Sequence, residues 1–149
     1  MKLLGLDVGD RRVGVACGDT NVRIATPIDV VVRAHFDADA RAVTVFVRKY
    51  DVEKLIVGLP RNMDGTMGDQ AKLVIEYAEK LASALNLPMQ LWDERLSTVE
   101  ATRRRNETGA RGKKSRLAID AVAAAVILQD YMDSQSNQNS MLADSAENI

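Results

Sequence analysis

The chain alternates short apolar runs with polar punctuation, and the spacing of its apolar positions changes along its length. Residues 2–8, 12–18 and 22–32 are rich in Val, Ile and Leu and are separated by Gly-Asp-Arg-Arg and Asp-Thr-Asn, compositions that favour turns. Three strands joined by tight turns are expected, an antiparallel meander. From about Asp37 to Tyr50 the period becomes helical: Val43, Phe46, Val47 and Tyr50 share one face, while Asp39, Arg41, Arg48 and Lys49 lie largely off it. Lys54 to Pro60 is almost continuously apolar, as strands covered on both faces tend to be, and runs into a polar, glycine-punctuated loop from Arg61 to Gly68. A second helix is predicted from about Asp69 to Leu85, with Val74, Ala78, Leu81 and Leu85 inward and Asn86 to Pro88 ending it. Met89 to Trp92 returns as a strand that ends in Asp93-Glu94-Arg95.

Ser97-Thr98-Val99-Glu100 fits a capping box, so a short helix is expected to begin there. The last helix is predicted from about Ser115 to Met132, alanine-rich and apolar. After Asp133 the chain has too little apolar surface to pack, which sets a domain over 1–133 and a disordered tail over 134–149. The order of elements predicts an α/β fold. Its mixed five-stranded sheet has the first three strands antiparallel, the later ones added by crossovers, and helices on both faces.

Composition narrows the chemistry. At 149 residues, 46% hydrophobic and 28% charged, the chain has the make-up of one globular domain. Its formal charge of -1 means that any nucleic-acid-binding surface must be local. The one cysteine, Cys17, excludes an intramolecular disulfide and a thiolate zinc cage, and its Val-Ala-Cys-Gly setting suits core filling. The one histidine, His35, stands where a helix begins, a place for capping, so histidine-based catalysis is not expected. Asp7 interrupts the N-terminal apolar run before a signal-peptide core forms, and no stretch reaches the roughly eighteen apolar residues of a membrane span. A cytoplasmic protein with no membrane partner is expected.

Most of the twenty-one acids lie on helix exteriors or in turns, where solvation explains them. A few do not. Asp7 sits inside the apolar strand Leu3-Leu4-Gly5-Leu6-Asp7-Val8-Gly9, where a lone buried charge is costly. Asp93 and Glu94 end the last strand. Asp120 is the one acid between Leu117 and Leu128, although aspartate is a poor helix-interior residue. Each alone has an ordinary reading as a cap or ion-pair partner. Together, on elements that can converge at one end of a sheet, they suit a hard cation: Mg²⁺ takes a few carboxylates and shares substrate phosphates. Two such ions about 4 Å apart can stabilise the attacking and leaving oxygens of a phosphodiester displacement. Between the strand-end acids and Asp120 lies a basic segment, Arg103 to Arg116, with seven Lys/Arg against one acid. A phosphate backbone is the complementary partner for Arg103, Arg104, Arg105, Arg111, Lys113, Lys114 and Arg116.

Four blocks carry a family resemblance: Gly5 to Ala16 (GLDVGDRRVGVA), Val57 to Thr66 (VGLPRNMDGT), Asp93 to Thr98 (DERLST) and Lys114 through Asp120 to Ala124. In this order they resemble the motifs of the YqgF (RuvX) family of bacterial RNase H-like proteins, over about residues 1 to 132. The family's members are described as pre-16S rRNA nucleases and as Holliday-junction-resolvase-like. The resemblance implies an RNase H-like fold and metal-dependent phosphodiester hydrolysis, with two Mg²⁺ or Mn²⁺ ions expected. By motif it makes Asp7, Glu94 and Asp120 the catalytic and metal-binding acids. Alternate strand residues face opposite ways, so one of Asp93 and Glu94 is expected to point into the site, and Glu94, the motif match, is chosen. Asn62, in the loop to Thr66, is expected to line the site, unless the loop is only a glycine-dependent turn. Arg11, Arg12 and Arg95 are expected to contact phosphate or to order the acids as ion-pair partners.

The leading expectation is therefore a nuclease that matures the 5′ end of precursor 16S rRNA, as a monomer or homodimer. The same acids would serve a resolvase cutting branched DNA. A non-catalytic RNA-binding ribosome-assembly factor is a third reading. A sugar-kinase or actin-like ATPase, suggested by the early Asp-x-Gly, closes two such domains around its nucleotide, and only one is expected here.

Overall fold

The computed structural model describes residues 1–62, 64–94 and 113–147, and the side chains of 113–118 and 137–147 lie outside that description. Among the described residues, five strands and three helices follow in the order β1 (Lys2–Val8), β2 (Arg12–Asp19), β3 (Ala25–Val32), α1 (Phe36–Lys49), β4 (Lys54–Leu59), α2 (Asp69–Leu85), β5 (Met89–Asp93) and α3 (Lys113–Glu147). They form one mixed sheet in the order β3-β2-β1-β4-β5. The first three strands are antiparallel, whereas β4 and β5 join parallel to β1 through helical crossovers. The expected fold class and sheet are the observed ones.

Side chains alternate across the sheet and build two cores. Leu4, Leu6, Val13, Val15, Leu55 and Val57 face the layer of α1 and α2, where they meet Val43, Val74, Ala78 and Leu81. Leu3, Ala16 and Ile56 face the other way, against Ala123, Ala124, Ile127, Leu128 and Tyr131 of α3. The alanines matter for distance. A Cβ on Gly5 would fall 2.9 Å from Leu128 Cβ, so α3 crosses the sheet with its backbone close to β1.

Local chemistry sets the ends of the helices. His35 caps α1, its Nδ1 accepting from the Ala38 N–H at 3.3 Å, as its place in the sequence predicts. α2 ends at Asn86, which adopts the left-handed conformation with φ 53°. Cys17 is half-buried against the α1/α2 core. The backbone of α3 continues to Glu147, although composition predicts a helix ending near Met132 and a disordered tail over 134–149. Residues 133–149 contain neither Gly nor Pro, so nothing in them obliges the helix to stop. Among the described residues the core on that face ends at Tyr131 and Met132. The short helix expected from Ser97 lies outside the described residues, and among those described no helix is long and apolar enough to cross a membrane.

One acid departs from its expected setting. Asp39, placed by helical periodicity off the apolar face of α1, is only 3% exposed. It is buried because its carboxylate is fully engaged: Oδ1 accepts from the Ala34 N–H and Oδ2 from the Tyr77 hydroxyl, each at 3.0 Å, with Arg33 Nε 3.9 Å away.

Candidate functional site

Cross-strand register brings the three acids to one level of one face. Asp7 on β1 pairs with Gly14 on β2, and paired antiparallel residues project to the same side. A Cβ on Gly14 would stand under 3.0 Å from the backbone carbonyl of Asp120, so α3 passes directly over this pair. On the other flank Leu6 pairs with Val57, which sets Gly58 of β4 beside Asp7. The space above Gly58 is shared by Ile127 and Glu94: a Cβ there would lie 2.6 Å from Ile127 Cδ1 and 2.7 Å from Glu94 Oε1. Asp120, Asp7 and Glu94 thus occupy three adjacent strand tracks, which are spaced about 4.8 Å apart in a sheet.

Burial grades the three acids. Asp7 is 5% and Glu94 9% exposed. Asp120 is half-buried and is held by Arg12, whose Nε donates to Oδ2 at 2.6 Å. Among the described residues no three acidic, cysteine or histidine side chains are grouped closely enough to hold an ion. The donor set nevertheless suits a hard divalent cation: two buried carboxylates and a third nearby, with no softer ligand needed. Arg12 supplies the positive charge that Asp120 faces in this structure, so a cation drawing on Asp120 would have to exchange with that contact.

Asp93 points the opposite way. It pairs with Leu59, on the α1/α2 side, and its carboxylate lies 3.5 Å from Arg61 Nη1. Alternation along the strand therefore separates the neighbours as expected, with Glu94 on the face of Asp7 and Asp93 away from it.

The remaining predicted residues sort unevenly. Arg12 ends as an ion-pair partner, one of the two roles its motif suggests. Arg11 is exposed in the turn between β1 and β2, where its carbonyl accepts from the Arg33 N–H at 2.8 Å. Asn62 closes its own loop: Nδ2 donates to Thr66 Oγ1 at 3.0 Å, its N–H to the Thr66 carbonyl at 2.9 Å, and Gly65 sits at φ 91°. The loop follows the same end of β4 as the acids, but its described bonds are those of a turn. Arg95, Arg103, Arg104, Arg105 and Arg111 lie outside the described residues. Lys113, Lys114 and Arg116 belong to the first turns of α3, with side chains outside the description.

Sequence reading missed Gly14 and Gly58. Each is a glycine inside a strand, a signal for close approach of another group, and each removes a side chain beside Asp7.

A model of the RuvX family, described as Holliday junction resolvase, matches residues 1–134. The chain belongs to the RuvX family. One relative, from Caldanaerobacter subterraneus subsp. tengcongensis, is 47% identical over 139 residues, covering 92% of this chain and 99% of its own length. Another, from Halothermothrix orenii, is 42% identical over 136 residues, covering 91% of this chain and 97% of its own. Both are named as candidate pre-16S rRNA nucleases. Among solved structures, the yeast mitochondrial Holliday junction resolvase aligns with a TM-score of 0.60 at 13% identity, covering 99% of this chain and 84% of its own. Thermus thermophilus RuvC in complex with a Holliday junction substrate aligns with a TM-score of 0.55 at 14% identity, covering 91% of this chain and 96% of its own. At such identities the structural likeness is one of fold.

Proposed function

We propose that this RuvX chain is a metal-dependent nuclease that hydrolyses phosphodiester bonds of structured RNA, maturing the 5′ end of precursor 16S rRNA in the cytoplasm. The observation that carries the reading is the row of Asp120, Asp7 and Glu94 on the α3 face, cleared by Gly14 and Gly58. Family membership and the names of the relatives support it.

Asp7, Glu94 and Asp120 would hold the ion or ions, Mg²⁺ or Mn²⁺, two in the fullest form. When bound, divalent metal supplies a polarised phosphoryl group and an activated water at neutral pH. Asp7 and Glu94, the more buried pair, fix the position of charge at the centre of the site. Arg12 keeps Asp120 oriented, and its half-exposed guanidinium is available to an incoming phosphate. The basic run from Arg103 to Arg116, between Glu94 and Asp120 in the chain, supplies sequence-independent attraction to the backbone.

Resolution of DNA junctions is the second reading, supported by the description of the matching family. A resolvase cuts two symmetric strands and so works as a dimer with a two-fold axis. Cleavage of precursor 16S rRNA and of four-way DNA junctions, measured side by side with Mg²⁺ and Mn²⁺, tests the choice. Specific cutting of the RNA by a protein that stays monomeric on junction DNA is expected. Efficient symmetric incision of the junction, with the RNA left intact, would reverse it.

A further inference from the structure

On the sheet face opposite the carboxylates, a cavity of about 360 Å³ lies between the β1–β2 turn, the end of β3, α1 and α2. A polar network on its wall has no part in the chemistry above. Its centre is Arg33, just past the end of β3. Arg33 Nη1 donates to the Gly9 carbonyl at 2.7 Å, and its backbone N–H donates to the Arg11 carbonyl at 2.8 Å. The guanidinium lies 4.4 Å over the Tyr77 ring and 3.9 Å from Asp39 Oδ2. Tyr77 donates its hydroxyl to the same carboxylate oxygen at 3.0 Å. Burial and the adjacent carboxylate raise the Tyr77 hydroxyl above its ordinary value, so it stays a donor.

The segment Arg33 grips is the one that carries the site. Gly9 is two residues beyond Asp7, Arg11 is one before Arg12, and the turn is closed by the Gly9 N–H donating to the Arg12 carbonyl at 2.8 Å. Besides this bond, two carbonyls of the turn, those of Gly9 and Arg11, are held from outside it. Arg33 holds both, the Gly9 carbonyl through its guanidinium and the Arg11 carbonyl through its backbone, and α1 and α2 hold the guanidinium through Asp39 and Tyr77. A buried carboxylate of this kind is expensive unless paired, and Asp39 is only 3% exposed.

We propose that Arg33, clamped by Asp39 and Tyr77, is a positioning residue for the nuclease site: it fixes the Gly9–Arg12 turn and thereby the placement of Asp7 and of the Arg12–Asp120 pair. It rests on the nuclease reading for its effect on turnover, and on geometry alone for its effect on the turn.

Arg33→Lys is the working variant, because it leaves a cation beside buried Asp39 while losing the fork that spans Asp39 and Gly9. Lys80→Met is the control: Lys80 lines the same cavity and sits 4.3 Å over the Phe36 ring, and no described bond ties it to Asp39 or to the turn. In the full chain, amide exchange at Gly9 is expected to quicken about tenfold or more in Arg33→Lys and to weaken Mn²⁺ binding by calorimetry. A displacement of about 1 Å at a site can cost about 10²-fold, so kcat should fall by up to that factor with KM nearly unchanged. Lys80→Met should match the parent in all of these. Unchanged Gly9 exchange in Arg33→Lys overturns the proposal, as does faster exchange with unaltered Mn²⁺ affinity and kcat, or equal losses in Lys80→Met. A parent protein that cuts neither RNA nor junction DNA would sink the nuclease reading by itself, leaving Gly9 exchange and Mn²⁺ affinity to decide the role of Arg33.

Discussion

Adding one methyl group at Gly14 is a sharp test of how the site is assembled. In Gly14→Ala the new Cβ would come under 3.0 Å from the Asp120 carbonyl oxygen and carbon, closer than such atoms approach in folded proteins. Favourable contact begins near 3.5 Å, so α3 must retreat by roughly 1 Å or more at the residue that carries the third carboxylate. Both clashing groups are backbone, and no rotamer change relieves them. Overpacking of this kind costs about 1–3 kcal/mol, which a domain with a two-layered core can survive. A shift of about 1 Å in a catalytic group is worth about 10²-fold in rate. The activity loss should therefore exceed what the fraction unfolded explains. Gly18→Ala is the companion on the same strand and face: its Cβ would meet the flexible end of Met132 at 3.0 Å and Leu128 Cδ2 at 3.1 Å. Methionine yields readily, so about 0.5 kcal/mol or less and near-parent turnover are expected. Chemical denaturation and single-turnover cleavage of both variants decide the matter. Parent-like activity in Gly14→Ala, or equal damage in Gly18→Ala, would refute the close helix-to-strand contact as the basis of the site.

Three further outcomes follow from the same geometry. Glu94→Gln should lower kcat by about 10²-fold or more, whereas Asp93→Asn, which loses a partly exposed pair with Arg61, should cost about 0–1 kcal/mol and keep turnover; steady-state kinetics and denaturant midpoints check both. Asp120→Asn should abolish turnover with little change in melting temperature, because the Arg12 pair it weakens is about one-third exposed on the arginine side. At alkaline pH, folded Cys17 and Tyr77 both resist ionisation, Cys17 chiefly through burial and Tyr77 through burial and then Asp39. Each thus adds stability that is complete below its unfolded value and is lost as pH rises past it, from about 9 for the thiol and about 10 for the phenol, because the unfolded chain releases its protons first. Denaturant midpoints from pH 8 to 11 should fall, and the fall should be shallower in a Cys17→Ser, Tyr77→Phe double variant.

Periodicity makes much of the fold legible in the sequence. The switch from strand to helix near Asp37, the helix from Asp69 to Leu85 and the doubly covered strand from Lys54 all come from side-chain patterns that tertiary packing then uses. The carboxylates were legible for the opposite reason: Asp7 and Asp120 break the pattern around them. Alternation also separated Glu94 from Asp93, because a strand cannot turn both to one face. What escaped was carried by distant partners. Asp39 follows the helical pattern of an exposed acid, and its burial is explained by Tyr77, thirty-eight residues away, together with Arg33 and the Ala34 N–H. Gly14 and Gly58 read as ordinary strand glycines until register places them beside Asp7. The backbone of α3 runs past Met132 because lack of apolar surface argues against packing but does not by itself stop a helix.

If the carboxylate row performs metal-dependent phosphodiester cleavage, the charge at its middle is indispensable. Asp7→Asn tests it most directly, since Asp7 lies at the middle of the row and differs from asparagine by charge with almost no change in volume. Single-turnover cleavage of precursor 16S rRNA should be measured with Mn²⁺, with Mg²⁺ and with chelator, alongside RNA binding by the same protein. Cleavage by the parent is expected only with metal, and none detectable by Asp7→Asn, with RNA affinity within about threefold of the parent. Full cleavage by Asp7→Asn, or cleavage by the parent that persists in chelator, would contradict it.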